Sequence, residues 1–393
     1  MSDSRPPLDG LVVVDLTRVL AGPLCTMILA DMGAEVLKVE RPGVGDDTRE
    51  WGPPSVGGDA TYFLGVNRDK KSIAVDLSTP RGRDAVAALM ARADVVVENF
   101  RSGVMERFGL GYDHIAQINP RAVYCSIPAF AGSDSPKPGY DLLMQAQSGL
   151  MSLTGTEGPT KAGVALLDVI TGLYATNGIL AALQARHRTG AGQRVTVGLY
   201  EASLAALVNQ SAAYLMAGQV SGLAGNAHPS IVPYQVFSAR DRSFVLAAGN
   251  DKLFRETVEA LGRADLADDP RFVSNSARVA HRDELVELLA ARFATRDAAH
   301  WVHELDARGV PASLVRSLDE VFAAPESAGA VAEIADADRG ALRYVRTPVR
   351  LSATPLNDPT VPPPHLGAHT GDLLARVAAG TREPNGQRAG GIS

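Results

Sequence analysis

Residues Leu11–Leu16 read LVVVDL, Leu24–Met32 read LCTMILADM and Glu35–Glu40 read EVLKVE, with Gly33 closing the middle segment. The first is an unbroken apolar run rich in β-branched residues, as in a strand covered on both faces, and the second is an apolar helix stopped by its glycine. The third returns as a short strand. Strand, helix and strand in that order make a βαβ unit with parallel strands and a right-handed crossover. Working outward, Thr79-Pro80 opens another helix, with proline where its missing amide proton costs nothing, running to about Arg92. The strands Asp94–Glu98 and Ala122–Ile127 follow, and the alternation predicts an open, mostly parallel, Rossmann-like doubly wound α/β sheet.

The chain has 393 residues, enough for two to three domains at roughly 150 residues each. A large Rossmann-like domain is expected over residues 1–205, completed by 340–380, with linkers at 206–224 and 321–339. A small α+β domain is expected over 225–320, with strands Tyr234–Ser238 and Ser243–Ala248 joined by a charged turn, and a flexible tail over 381–393. Lys and Arg number 38 against 44 Asp and Glu, a net charge of −6, which argues against nucleic acid as a partner. The two cysteines, Cys25 and Cys125, lie in apolar runs and form no disulfide framework, so a reducing, cytoplasmic location is expected. The start, MSDSRPPLDG, lacks a basic segment followed by an apolar one. The most apolar long window, Val164–Leu183, carries Asp168, Thr171, Thr176 and Asn177, so it reads as a buried helix and no membrane partner is expected.

A glycine-rich turn after the opening strand would indicate a dinucleotide cofactor, but the chain reads TRVLAGPL there, and Gly43-Val44-Gly45 is followed by Asp46 and Asp47. A nicotinamide cofactor is therefore not expected. No metal is expected either: His300 and His303 fall on a surface helix, and His365 and His369 in a proline-rich loop without an acidic or thiol neighbour in sequence. Basic residues gather at Asn67–Lys71 (NRDKK). Arg41, Asn99 and Arg101 follow strand ends that should share one rim of the sheet, where phosphates would be welcome; a solvated, unspecialised surface is the other reading. Asp168 follows the apolar stretch Ala162–Leu167 and precedes a helix. It reads as an N-cap, or as a poorly hydrated carboxylate fit for covalent catalysis, and the two are compatible.

These residues resemble the class III CoA-transferase family, through LVVVDLTRVLAGP, GAEVLKVERPGVGDDTR, NRDKKSIAVDL, DVVVENFRSGVMERFGLGY, PGYDLLMQAQSG and PPPHLGAHT, in order along the chain. The resemblance implies that Asp168 attacks a donor acyl-CoA to form a mixed anhydride and then an aspartyl-CoA thioester, from which an acceptor carboxylic acid takes the CoA through a second anhydride; succinyl-CoA or a similar short acyl-CoA is the implied donor. It implies no cofactor beyond coenzyme A as substrate. It implies CoA along Leu20, Ala21, Arg41, Val75, Asp76, Leu77, Ser78, Asn99, Phe100, Arg101, Arg107, Lys137, Pro138 and Gly139, with Tyr140 and Asp141 near the thioester. Gly225, Asn226, Ala227 and His228 align with a mobile substrate loop that is a run of glycines in some members, which makes His228 a candidate substrate contact.

The same superfamily includes α-methylacyl-CoA racemases, which use a histidine before an aspartate. This chain has Tyr140 there and Asn250 where those enzymes place a glutamate, and a tyrosine of ordinary pKa about 10 is a poor base. Both departures favour transfer over racemisation; a CoA-binding protein without catalysis is the third reading. The resemblance also implies an interlocked homodimer. On that view Val310–Leu314 and Val361–Pro364 are extended connectors returning the chain to its first domain.

Overall fold

The computed structural model describes residues 5–132 and 137–378. Six parallel strands form the main sheet: β1 Val12–Asp15, β2 Glu35–Glu40, β3 Lys70–Ala74, β4 Val95–Glu98, β5 Val123–Ser126 and β6 Arg194–Thr196. Their order across the sheet is β3-β2-β1-β4-β5-β6, every pairing parallel, so the direction of winding reverses between β1 and β4. Side chains alternate between two cores. Val13, Val36, Val95, Val97 and Cys125 face one core with the helices Ala21–Asp31 and Leu166–Thr189. Val14, Leu37, Val39, Ile73 and Val96 face the other with the helix Pro80–Met90. Burial on both faces is why these strands read as continuous apolar runs rather than as alternating ones.

Thr79 caps the helix Pro80–Met90, its Oγ1 accepting from the Gly82 amide at 3.0 Å. Leu166–Thr189 is long and apolar enough to cross a bilayer by composition, but half of its most apolar window is buried, and Gly172 meets the Ala21 carbonyl where a Cβ would come within 2.6 Å. Cys25 and Cys125 are both free and buried in the core between these elements.

The chain divides into two compact units, residues 1–148, 163–208 and 329–393 in the first and 149–162 with 209–328 in the second. The return of the C-terminal segment to the first unit has a local cause. β3 is an edge strand, and its free backbone is covered by later residues: Thr370 Oγ1 accepts from the Ala74 amide at 2.9 Å and His369 Nδ1 from the Ser72 amide at 3.2 Å.

The second unit holds an antiparallel sheet of β7 Tyr234–Ser238, β8 Ser243–Ala247 and β9 Ala312–Leu314, in the order β9-β8-β7. Several expectations are corrected. Val310–Leu314 is not a connector, because Ala312–Leu314 pairs with β8 as the third strand of this sheet. The 206–224 linker holds the helix Val208–Ala217. The 321–339 linker holds a 3-10 turn at Pro325–Ala330 and the strand β10 Val331–Asp336, which pairs with β11 Gly340–Val345. Short polar-flanked elements of this kind lack a periodicity long enough to stand out from a linker. The expected 381–393 tail lies outside the described residues.

Two ion pairs are fully buried among β1–β3, between Asp15 at the carboxyl end of β1 and Lys70 at the start of β3, and between Lys38 within β2 and Asp46 after it. Lys70 Nζ donates to Asp15 Oδ2 at 3.1 Å, to the Pro23 carbonyl and to Asn67 Oδ1; Lys38 Nζ donates to Asp46 Oδ2 and the Thr17 carbonyl, both at 2.9 Å. Burial pushes the Asp15 carboxyl up, but Lys70, Lys38 and the hydroxyls of Thr17 and Thr26 outweigh it and hold it at about 2. Replacing Lys70 by Met strands that carboxylate and should destabilise the protein by about 3–5 kcal/mol. The double variant Asp15→Asn/Lys70→Met should recover much of the loss, and denaturant unfolding of the two single variants and the pair measures the coupling.

Candidate active site

Ligands of an open α/β sheet collect where the strand order reverses, here between β1 and β4. The loops after these strands are tied together by one side chain. Asn99 Oδ1 accepts from the Arg18 amide at 2.9 Å, and its Nδ2 donates to the Arg18 carbonyl at 2.8 Å. Val19 adopts φ +71°, a left-handed conformation strained for a β-branched residue, and its amide donates to Asp46 Oδ1 at 3.3 Å. The chain thus turns sharply into the helix Ala21–Asp31, leaving space above the sheet.

Three cavities occupy this rim. The first, about 250 Å³, is lined by Thr17, Arg18, Arg41, Val75, Asp76, Leu77, Ser78, Phe100 and Phe108. The second, about 80 Å³, holds Asp168 with Ala21, Asn99, Phe100, Arg101, Lys137, Gly139 and Leu199. The third, about 450 Å³, is lined by Glu98, Phe100, Arg101, Glu106, Ser126, Phe130, Arg194 and Thr196 among others. Phe100 is common to all three, and the Arg18 guanidinium lies 5.3 Å from its ring centroid.

Asp168 is 8% exposed and stands in the first turn of Leu166–Thr189. The expected N-cap role is corrected: the cap position is Ala165, which contributes no side-chain bond, and Asp168 lies inside the helix. Capping comes from elsewhere. Asp141 Oδ1 accepts from the amides of Leu167 at 2.8 Å and Asp168 at 3.3 Å, while its Oδ2 accepts from Gln145 Nε2 at 2.5 Å. The cap function was legible as a need of the helix, but the carboxylate that accepts from its amides lies 26 residues earlier in sequence. Freed from capping, the Asp168 carboxyl faces the cavity. Burial, and then the charge of Asp141, push it up to about 7.

The sequence-predicted residues fall into separate places. Arg41, Val75, Asp76, Leu77 and Ser78 line the 250 Å³ cavity, and Ala21, Asn99, Arg101, Lys137 and Gly139 line that of Asp168. Asn99 has its amide committed to the Arg18 backbone, so it positions the two loops. Leu20, Arg107 and Pro138 line none of the three cavities; Arg107 ends the short helix Val104–Arg107 and is exposed. Tyr140 is 55% exposed at the cap position of the helix Asp141–Gln147. Sequence reasoning missed Arg18, Phe108, Glu98, Ser126 and Arg194. Arg18 was legible from its place two residues after the opening strand run, whereas Ser126 and Arg194 needed the strand order.

The basic run Asn67–Lys71 is not a phosphate surface. Lys70 is buried on Asp15, and fully buried Arg68 is ion-paired with Asp31. Asp46 likewise cannot repel a ligand freely, because Lys38 neutralises it. His365 does have an acidic neighbour, Asp338 Oδ2 at 3.1 Å from Nε2, contrary to the sequence reading; among the described residues no three His, Cys, Asp or Glu side chains form a metal-binding group.

In the second unit Asn250 caps the helix Asp251–Ala260 through the Leu253 amide at 2.9 Å, a structural task. The loop Gly225–His228 is bonded within that unit: Gly225 donates to the Gly155 carbonyl at 2.9 Å, Asn226 Oδ1 accepts from the Val236 amide at 3.1 Å, and the His228 amide donates to the Tyr234 carbonyl at 2.9 Å. Gly225 has φ +57°, so Ala227 and His228 replace glycine only where φ is negative.

A Rossmann-like sheet with a buried, ionisable aspartate at its reversal point, beside a cavity bearing arginines, has the features of a ligand-binding functional site. The chain belongs to CoA-transferase family III, whose sequence profile matches residues 8–370. It is 44% identical over 381 residues to the succinyl-CoA:glutarate CoA-transferase of Mus musculus, covering 95% of this chain and 87% of that protein. It is 41% identical over 389 residues to the succinate–glutarate CoA-transferase of Agrobacterium fabrum, covering 96% and 97%. The crystal structure of a CAIB/BAIF family protein from Brucella suis superposes with a TM-score of 0.84 at 42% identity, over 95% of this chain and 100% of that one. The protein is a CoA-transferase.

If Asp168 acts as a nucleophile it works only when ionised, and turnover should then rise with pH through about 7. Asp141→Asn retains an oxygen to cap the helix but removes the negative charge, and the acidic limb of the pH–rate profile should move to lower pH. A limb that stays in place would remove Asp141 as a cause of the shift.

Proposed function

We propose that the protein moves CoA from succinyl-CoA, or a similar short acyl-CoA, to a short dicarboxylic acid, with Asp168 as nucleophile. The observation that carries this reading is the Asp168 carboxyl, buried, free of capping duty and facing a cavity that shares Phe100 with the arginine-bearing cavity beside it. The Asp168 carboxylate attacks the donor thioester carbonyl, the carbon–sulfur bond breaks, and a mixed anhydride and CoA thiolate form. The thiolate then attacks the Asp168 carbonyl, releasing the donor acid and leaving an aspartyl-CoA thioester. The acceptor carboxylate attacks that thioester to give a second anhydride, and the thiolate attacks the acceptor's carbonyl, returning Asp168 as carboxylate. Atoms and charge balance at each exchange, so the residues supply position and a poorly hydrated nucleophile.

CoA is assigned to Arg41 and Val75–Ser78 at its nucleotide end, with Arg18 added, and to Asn99–Arg101 and Lys137–Gly139 toward the thioester. The guanidinium groups suit phosphate, and the amides and small residues near Asp168 suit the pantetheine arm. Tyr140 is placed near the thioester and Gly225–His228 as the substrate loop on the strength of the family resemblance. The succinate and glutarate named for the mouse and Agrobacterium relatives support the choice of dicarboxylates. Transfer is favoured over racemisation by the capping duty of Asn250 and by Tyr140 in place of a histidine.

Asp168→Asn should lower turnover by about 1,000-fold or more. In the unmodified enzyme, incubation with succinyl-CoA should give an adduct at Asp168 that hydroxylamine or borohydride removes, detected by intact mass. Turnover retained in the Asn variant would refute the nucleophile.

An interlocked homodimer is part of the same proposal. Tyr214, Leu215, Met216 and Val220 are 59%, 78%, 88% and 80% exposed, a contiguous apolar segment of the kind that meets another chain. Sizing with light scattering at micromolar concentration should give twice the mass of 41.3 kDa, and a monomer would contradict it. We place the protein in the cytoplasm, in keeping with two buried free thiols.

A further inference from the structure

The 450 Å³ cavity has no part in the steps above, and it is built as a ligand site. Its floor is the carboxyl end of β4 and β5: Glu98 and Ser126 are 7% and 3% exposed. The Ser126 hydroxyl is buried beside the Glu98 carboxyl, toward which it can donate. Glu98 Oε2 accepts from the Phe100 amide at 2.9 Å, which fixes the turn that carries Phe100 and Arg101. The far lip, Ala131 and Gly132, is held by Glu201, which accepts from the two amides at 3.0 and 3.2 Å. Arg194 enters from the edge strand β6, and neither its guanidinium nor that of Arg101 is ion-paired with another described residue.

The position narrows the ligand. Phe100, Arg101, Ser102, Pro128 and Phe130 line both this cavity and that of Asp168, so the two adjoin through a common wall. If CoA fills the Arg41 cavity and reaches Asp168, this cavity stands next to that of Asp168, across the wall they share. Its apolar walls, Phe130, Pro128 and Met105, suit a short methylene chain, and its cations suit a carboxylate beyond that chain. Glu106 is the opposing charge on the exposed lip. Glu98 is the other acid, and burial pushes its carboxyl up to about 7, which lessens its repulsion of an anion at neutral pH.

We propose that this cavity receives the acyl chain of the acid, and that Arg194, with the Ser126 hydroxyl, holds the far carboxylate of a dicarboxylate while its near carboxylate meets Asp168. The inference rests on the transferase reading above and adds to it the residues that select two carboxylates over one. Arg194 is a specificity residue, exposed enough that its substitution leaves the fold intact.

The test compares glutarate with pentanoate, acids of equal chain length bearing two and one carboxylates, as acceptors at fixed donor concentration. Arg194→Gln should lower the ratio of their kcat/KM values by about tenfold or more, Arg194→Lys should recover part of it, and Ser126→Ala should lower it less. Product inhibition by free CoA should not change, since no CoA contact is touched. An unchanged ratio in Arg194→Gln, with turnover intact, overturns the inference and leaves the transferase reading standing. So does a wild-type enzyme that accepts both acids equally. Transfer of CoA to no carboxylic acid at all would overturn the underlying reading first, and the inference with it.

Discussion

The rim of the sheet depends on the buried pairs Lys70–Asp15 and Lys38–Asp46. Charges removed from water are costly, and these are tolerated because each also bonds backbone or amide oxygens, Lys70 to the Pro23 carbonyl and Asn67, Lys38 to the Thr17 carbonyl. Those carbonyls belong to the loop after β1 (Thr17) and to the first turn of the helix that follows it (Pro23). The pairs therefore link β1, β2, β3 and the loop above them into one polar cluster inside an apolar sheet. Asp46, held by Lys38, in turn accepts from the amide of strained Val19, and Asn99 clasps Arg18 from the other side. The cavity walls inherit their positions from this cluster.

The proposed nucleophile, Asp168, shows a second constraint. An aspartate at a helix start ordinarily caps the helix, and such use would occupy the oxygens needed for attack. Asp141 takes the capping bonds instead, which releases Asp168 but brings a negative charge beside it. Burial and that charge act in the same direction, raising the carboxyl into the neutral range. The arrangement gives an ionisable, poorly hydrated carboxylate at the cost of full ionisation at neutral pH. Gly172, by letting its helix approach the Ala21 carbonyl, brings this first turn against the reversal point of the sheet.

Much of the first unit was legible because its strands are buried on both faces and its helices are long. LVVVDL, EVLKVE and DVVVENF announce strands without alternation, and Thr79-Pro80 announces a helix start that the structure keeps. The predicted rim of Arg41, Asn99 and Arg101 follows from strand direction alone, and these residues line cavities at the expected ends. The errors share one cause. Arg68 and Lys70 look like surface charge, Val310–Leu314 like a connector and Asp168 like a cap, because each reading used only neighbours in sequence.

Local patterning by itself determined the βαβ beginning, the parallel sheet, the absence of a glycine-rich dinucleotide turn and the candidate acid, since these depend on residues a few positions apart. Only the tertiary structure decided which charges are neutralised, where the cap of the Asp168 helix comes from and which cavities adjoin. Those outcomes rest on contacts such as Lys70 with Asp15 and Asp141 with Leu167, separated by 55 and 26 residues. Burial and Coulomb attraction act through space, and sequence spacing carries no measure of either.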